Sequence, residues 1–364
     1  MNSVFTTFTR TLSVALLVTT LGLPALVTAD DDAPYQRNCD TPIIHPKKVT
    51  DMTPNDTDDP AIWINPHDAA KSLIVGTDKD RNGGLYVFDL KGHMLKDKTV
   101  ALKRPNNVDI EYGLMLGGKS VDIAVATERL TSKLRVFSLP DMTAIDNGGL
   151  DMFVGEQGED QRALMGISLY KRPSDGAIFA IVGRKNGPSG SYLWQYLLHD
   201  DGNGQLSATL VRRFGTFSGL NEIEAIAVDA ALGYIYYSDE GVGVRKYYAD
   251  PSQGNKELAL FATKGFAGDH EGISIYTQPN GQGYILVSDQ HANEFHIYPR
   301  QGTADDPHHH PLLKVVELAT CESDGSEATS TPLGKNFPQG MFVAMSDNCT
   351  FQIYKWEQIA GDDL

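Results

Sequence analysis

The sequence predicts an all-β protein, a six-bladed β-propeller, on three observations. The chain of 364 residues holds 35 glycines with 14 Phe and 15 Tyr, a composition suited to many short strands joined by tight turns. Its aliphatic runs are short and bounded by turn residues. One strand–turn–strand unit recurs about six times, as radial repetition requires. A β-sandwich also has many short strands, but its strands need not be copies of one another. With 41% hydrophobic and 21% charged residues, the chain can bury a sizeable core.

Taken in order, residues 1–29 carry one charge, Arg10, then an apolar run from Thr11 to Val27. They end in Val27-Thr28-Ala29 before Asp30-Asp31-Asp32. This is the pattern of a cleaved secretory leader, and Pro24 and the small residues argue against a retained anchor. The expectation is a signal peptide over 1–29, a single domain over 30–364, and a secreted or periplasmic protein. No other apolar stretch approaches the roughly 20 residues that span a bilayer. A disulfide between two of Cys39, Cys321 and Cys349 fits that compartment, with three pairings open.

The clearest copies of the repeat are Glu224-Ala-Ile-Ala-Val-Asp with Gly233-Tyr-Ile-Tyr-Tyr-Ser-Asp-Glu, and Glu271-Gly-Ile-Ser-Ile-Tyr with Gly283-Tyr-Ile-Leu-Val-Ser-Asp-Gln. Earlier copies begin at Ala61-Ile-Trp-Ile, Val108-Asp-Ile-Glu-Tyr and Met165-Gly-Ile-Ser-Leu. A last one holds Phe342-Val-Ala-Met-Ser-Asp-Asn and Phe351-Gln-Ile-Tyr. In an antiparallel blade the start of the first strand and the end of the second share one end of the sheet. Equivalent positions therefore form rings on one face around the central channel. The first-strand ring reads Asp58 and Asp59, Asp109, Met165, Glu224, and Asp269 with Glu271. The second-strand ring reads Lys79, Arg129, Lys185, Glu240, Gln290 and Asn348. Carboxylates offer oxygen ligands to a hard cation such as Ca²⁺, and three cations at one blade position offer donors to phosphate oxygens.

The segments Asp58-Asp59-Pro-Ala-Ile-Trp, Asn106-Asn107-Val-Asp109-Ile, Asp269-His-Glu271-Gly-Ile-Ser-Ile-Tyr and Phe351-Gln-Ile-Tyr-Lys-Trp-Glu-Gln-Ile-Ala resemble the β-propeller phytases, in order over nearly all of the mature chain. The resemblance implies a calcium-dependent phosphomonoesterase acting on phytate, myo-inositol hexakisphosphate, with several Ca²⁺ ions. It implies Asp59, Glu224, Glu240, Asp269, Glu271 and Asp324 as calcium ligands, to which the rings add Asp58 and Asp109. Lys79, Arg129 and Lys185 match the phosphate-binding cations, and Asn106 and Asn107 are expected to contact substrate. The expected catalytic set is Lys79, Arg129, Lys185, Glu224 and Asp269. The chain departs from the family pattern at Met165, where a Tyr is usual, at Asp80, where a second Lys is usual, and at Asp324-Gly-Ser-Glu.

Lys and Arg number 31 against 47 Asp and Glu, a net charge of −16 that repels nucleic acid and anionic membranes. The expected partner is a small molecule met by a monomer, its phosphates drawn in by bound calcium and local cations. No Ser or Cys stands beside a base, so attack by water is expected rather than a phosphoenzyme. His270 alternates away from its carboxylate neighbours along an extended strand. His308-His309-His310 reads as a surface loop, and Asp200-Asp-Gly-Asn-Gly as a hairpin turn. Two other readings fit the architecture: a calcium-dependent lactonase or esterase, which needs no three-cation clamp, and a non-catalytic binding propeller.

Overall fold

The computed structural model describes residues 44–364; the leader over 1–29 and Cys39 lie outside the described residues. Six antiparallel sheets stand in a ring, matching the six units of the repeat. Blade 1 is Thr57–Trp63, Leu73–Asp78, Gly84–Asp89 and Val100–Ala101. Blade 2 is Pro105–Leu116, Lys119–Glu128, Lys133–Leu139 and Leu150–Asp151, with Thr143–Ala144 as a short extra strand. Blade 3 is Leu164–Lys171, Ile178–Arg184, Leu193–Asp200 and Leu206–Phe214. Blade 4 is Ile226–Asp229, Tyr234–Asp239, Gly243–Tyr248 and Ala259–Phe261. Blade 5 is His270–Thr277, Gly283–Asp289, Glu294–Pro299 and Lys314–Glu317.

Blade 6 is assembled from both ends of the described chain. Ser326–Thr329, Met341–Ser346 and Thr350–Lys355 are joined by Lys48–Val49, which pairs with Thr350–Lys355 as the outermost strand. Its innermost strand is missed by the sequence reading because Ser-Glu-Ala-Thr is short and polar.

The apolar faces pack between blades. Each junction has its own cluster, as where Ile62, Ile74 and Phe88 of blade 1 meet Met341, Val343 and Phe351 of blade 6. A Cβ on Gly76 would lie 2.1 Å from the Phe351 ring, so the absent side chain is what lets the ring seat there.

Four inner strands carry a register shift near their start, between Thr57 and Pro60, Pro105 and Val108, Leu164 and Ile167, and His270 and Ile273. A β-bulge puts two residues opposite one and re-aims their side chains. Here the extra pairs are Asp58-Asp59, Asn106-Asn107, Met165-Gly166 and Glu271-Gly272. Glu224-Ala225 and Asp324-Gly325 hold the same places in blades 4 and 6, since Ser238 N donates to Ala225 O at 3.1 Å and Met345 N to Gly325 O at 2.9 Å.

Neighbouring bulges are stitched together. Gly272 N donates to Asp324 O at 2.6 Å and Gly325 N to Asp58 O at 2.9 Å. Thr127 and Ser238 hydroxyls donate to the carbonyls of Met165 and Glu271 in the next blade. Cys321 is disulfide-bonded, while the Cys349 thiol donates to Asn55 O at 2.6 Å.

Candidate active site

The first residue of each bulge forms a ring at one mouth of the channel: Asp58, Asn106, Met165, Glu224, Glu271 and Asp324. Just after each second strand lies the outer ring. Lys79, Arg129, Lys185, Glu240 and Gln290 each donate a backbone N–H to the segment leading into the first strand of their own blade, at Asp56, Arg104, Ala163, Glu222 and Asp269. The sixth member is Asp347, one residue before the expected Asn348, because Ala344 pairs with Ser326 and Ser346 with Thr350. Asp324, implied only by resemblance, thus falls at a repeat position.

Glu224, Glu240 and Glu271 each bring a carboxylate oxygen within 4.8 Å of the others. Lys79 Nζ joins this group from the other side, 2.8 Å from Asp324 Oδ2 and 3.4 Å from Asp58 Oδ1. Gln290 donates to the other Asp324 oxygen. Arg129 donates to the Asn106 carbonyl, and the Asn106 amide in turn donates to Glu224. Lys185 Nζ lies 3.2 Å from Glu222 Oε1. Asp269 stands further out, accepting from the Asn221 amide at 2.7 Å.

Burial, followed by crowding of like charges, sets the electrostatics. Burial, then Glu224, push the Glu240 carboxyl up to about 9. Burial, then Glu240 and Glu224, raise Glu271. Burial raises Asp58 well above the carboxylate range against the pull of Lys79, with Glu224 and Asp324 adding to the rise. For Lys79, burial works against the ammonium, but Asp324, Asp58 and Glu224 outweigh it and hold its pKa high. One oxygen each of Asp58 and Glu240 is buried with no hydrogen-bond partner. An all-oxygen set with orphaned acceptors and excess negative charge fits a hard metal cation.

A cavity of about 270 Å³ is lined by Asp58, Glu224, Glu271 and Asp324 of the ring together with Asp59 and Asp109. Asp59 follows the ring position of its blade by one residue. Asp59 accepts from Val108 N at 3.0 Å. Asp109 lies three residues past the Asn106 ring position, accepts from Leu169 N at 2.6 Å, and is pushed by burial to about 6. Glu327, raised by burial and then Asp109 to about 8, and Glu111, raised by burial to about 7, line the same space.

Asn106 and Asn107, expected to contact substrate, are 0% and 7% exposed and sit within the network of the site: Asn106 connects Arg129 to Glu224, and Asn107 bonds Asp59. Met165 is buried as well, and Asp80 caps the turn at Asn82 N. His270 turns away from the ring and bonds Ala262 O at 2.7 Å. His310 corrects the surface-loop reading of its triplet: it is buried between Pro299 O and Lys246 Nζ, at 2.7 and 3.1 Å. Asp200 forms its hairpin turn by accepting from Gly202 and Gly204 N–H groups.

Beside the ring, a cleft of about 570 Å³ is lined by Arg81, Arg104, Arg129, Arg162 and Lys185 together with Glu156, Glu159 and Asp160. Arg81, Arg104 and Arg162 were missed in the sequence. The signal for Arg104 was present, since it stands two residues before a bulge, as Asp56 and Glu222 do. Arg81 and Arg162 sit in loops, where the repeat gives no register. The arrangement juxtaposes a carboxylate cluster fit for metal with a cationic cleft fit for several phosphates.

A family model described as Phytase matches residues 9–363. The 3-phytase of Bacillus subtilis (strain 168) is 30% identical over 370 residues, spanning 95% of this chain and 92% of that protein. Among solved structures, a chain of Kuenenia stuttgartiensis hydrazine synthase superposes with a TM-score of 0.48 at 14% identity, over 81% of this chain and 82% of that one.

Proposed function

Because this chain belongs to the phytase family, we propose that it is a calcium-dependent phosphomonoesterase that removes phosphate from phytate at the channel mouth. The observation that carries the reading is the pairing of Glu224, Glu240 and Glu271 with a neighbouring cleft of five cations. A lactonase or esterase has no use for those cations.

Glu224, Glu240, Glu271, Asp58 and Asp324 would hold the calcium, with Asp269 at the outer edge. Calcium supplies positive charge that neutralises the carboxylates, polarises a phosphate ester and favours attack by water. Lys79, now paired with Asp58 and Asp324, presents an ammonium held charged far above neutral pH. Arg129, oriented through Asn106, and Lys185 meet the equatorial oxygens of the phosphate under attack and strengthen as charge spreads in the transition state. Arg81, Arg104 and Arg162 receive the other phosphates of the inositol ring. Asp59 and Asp109 line the cavity with the ring carboxylates.

An extracytoplasmic site of action belongs to this proposal. The leader pattern of residues 1–29 and the disulfide at Cys321 both support it. The test is phosphate release from phytate by the purified protein. Release with calcium and its loss on chelation are expected. Undiminished release after exhaustive chelation sinks the calcium assignment.

A further inference from the structure

A second polar cluster lies in blade 5, off the channel. Asp289 ends the second strand, Glu294 faces it across the ladder, and His296 lies two residues further along the same face of the third strand. His296 Nε2 is 3.7 Å from Glu294 Oε2 and 3.9 Å from Asp289 Oδ2. One ligand atom from each of the three lies within 4.8 Å of the others.

Two other blades give the carboxylate at this position an arginine, while in blade 1 the equivalent Asp78 accepts from Asn55 N and Asp80 N instead. In blade 4 the equivalent Asp239 accepts from Arg245 Nε at 2.8 Å, and Gly243 stands opposite it. In blade 2 Arg135 holds the same place, with NH1 3.7 Å from Glu128 Oε1, and Lys133 stands opposite. Blade 5 has replaced that permanent cation with an imidazole and has added a carboxylate, Glu294, where the other two blades have none. The charge compensation is removed and a third ligand-type group supplied.

The cluster is also unsatisfied. His296 is 2% exposed and Asp289 0%. Neither ring nitrogen of His296 has a hydrogen-bond partner, and neither does Asp289 Oδ1. Asp289 Oδ2 accepts from Ala267 N at 2.7 Å, and Phe266 stacks on the imidazole at 4.1 Å between centroids, so both groups are held in place. Buried polar atoms left without partners are strongly unfavourable; three belong to this cluster, and of these His296 Nε2 faces both carboxylates. An imidazole nitrogen with carboxylate oxygens suits a borderline transition ion rather than Ca²⁺ or Mg²⁺. Zinc ligands at about 2.1 Å in tetrahedral array stand roughly 3.4 Å apart, so the two spacings from His296 need close by only a few tenths of an ångström, and the Asp289–Glu294 pair lies within 4.8 Å. The Glu294 side chain is 28% exposed and provides the way in and room for a water.

We propose that Asp289, Glu294 and His296 form a structural site for a zinc-class divalent transition ion, distinct from the oxygen-only ring at the channel mouth. The ion ties the second and third strands of blade 5 to each other.

The experiment uses the full chain, stripped with chelator and returned to excess Ca²⁺ so that the oxygen sites are filled, then titrated with Co²⁺ and Zn²⁺. One equivalent of Co²⁺ is expected, with visible ligand-field absorption, a paramagnetically shifted imidazole proton resonance, and displacement by Zn²⁺ that raises the melting temperature. His296→Arg restores the Arg–carboxylate pair of blades 2 and 4. It should fold, hydrolyse phytate in calcium at the wild-type rate, and lose the Co²⁺ signal. Glu294→Gln should weaken Co²⁺ binding about tenfold or more. Retention of the full signal in His296→Arg overturns the site. If that variant does not fold, the wild-type imidazole resonance decides: no shifted signal, or an imidazolium that titrates without metal dependence, means the histidine is only an ion-pair partner of the two carboxylates.

Discussion

Glu240 shows what the site requires at the scale of one residue. In the metal-free protein, burial and Glu224 move its carboxyl from an ordinary 4.5 to about 9. The folded state therefore holds a proton that the unfolded chain releases, and the resulting stability is complete below pH 4.5 and lost as pH rises toward 9. Metal-free protein should show a melting temperature that falls across this window, and saturating calcium should flatten the profile, as calorimetry at stepped pH would read. Glu240→Gln should raise the metal-free melting temperature at pH 8 by on the order of 2–4 °C while weakening calcium-dependent stabilisation. Equal melting temperatures for variant and wild type would remove Glu240 from the repelling cluster. Lys185 stands at the rim and contributes little to the fold, whereas Arg129 is buried against Asn106. Replacement of either by Ala should lower phytate turnover about 30- to 1000-fold, with an unchanged melting transition for Lys185→Ala. Near-wild-type kcat in either variant would take that residue out of the phosphate clamp.

At the scale of the element, the bulge at the start of each inner strand makes a propeller blade into a ligand holder. An unbroken strand would alternate its side chains between faces. The extra residue instead directs Asp58, Glu224, Glu271 and Asp324 to one mouth while the following residue packs against the neighbouring blade. That packing explains the glycines. A Cβ on Gly166 would lie 1.6 Å from Glu224 O, and one on Gly272 would lie 2.4 Å from Asp324 O. Gly166→Ala must push the Glu224 backbone outward, so it should destabilise the protein by roughly 1–3 kcal/mol and reduce activity more than its stability loss explains. Denaturant titration alongside kinetics checks this; an unchanged midpoint would mean that the bulge shifts at no expense.

At the scale of the whole molecule, the ring closes through Lys48–Val49 on Thr350–Lys355, reinforced by Thr50 N donating to Phe351 O at 3.0 Å and Thr53 N to Cys349 O at 2.9 Å. Removing residues through Val49 leaves blade 6 without its outer strand and exposes an unpaired edge. The truncated protein should melt lower and less cooperatively, and an unchanged calorimetric transition would show that closure does not depend on this strand. A chain of net charge −16 that lines one cavity with Asp58, Asp59, Asp109, Glu224, Glu271 and Asp324 is held together against self-repulsion. Calcium bound only to the folded state should raise the melting temperature by mass action, with a dependence on calcium concentration that a scan series would reveal.

The sequence by itself determined the six-fold repeat, the all-β class and the residue types of the chemistry, because side-chain alternation and turn residues are local and each blade repeats them. It also determined that Lys79, Arg129, Lys185, Glu240 and Gln290 are equivalent, since the end of a second strand is marked by its own apolar pattern. Only the tertiary structure decided which carboxylates meet. A bulge adds one residue without changing composition, so Asp58 could not be told from Asp59, nor the ring position of Asn106 from Asp109. The slip from Asn348 to Asp347 has the same origin, because register is fixed by pairing across the sheet and not along the chain. The cationic cleft was hidden for a further reason: Arg81, Arg104 and Arg162 come from segments far apart in sequence, and loops carry no period that would bring them together on the page.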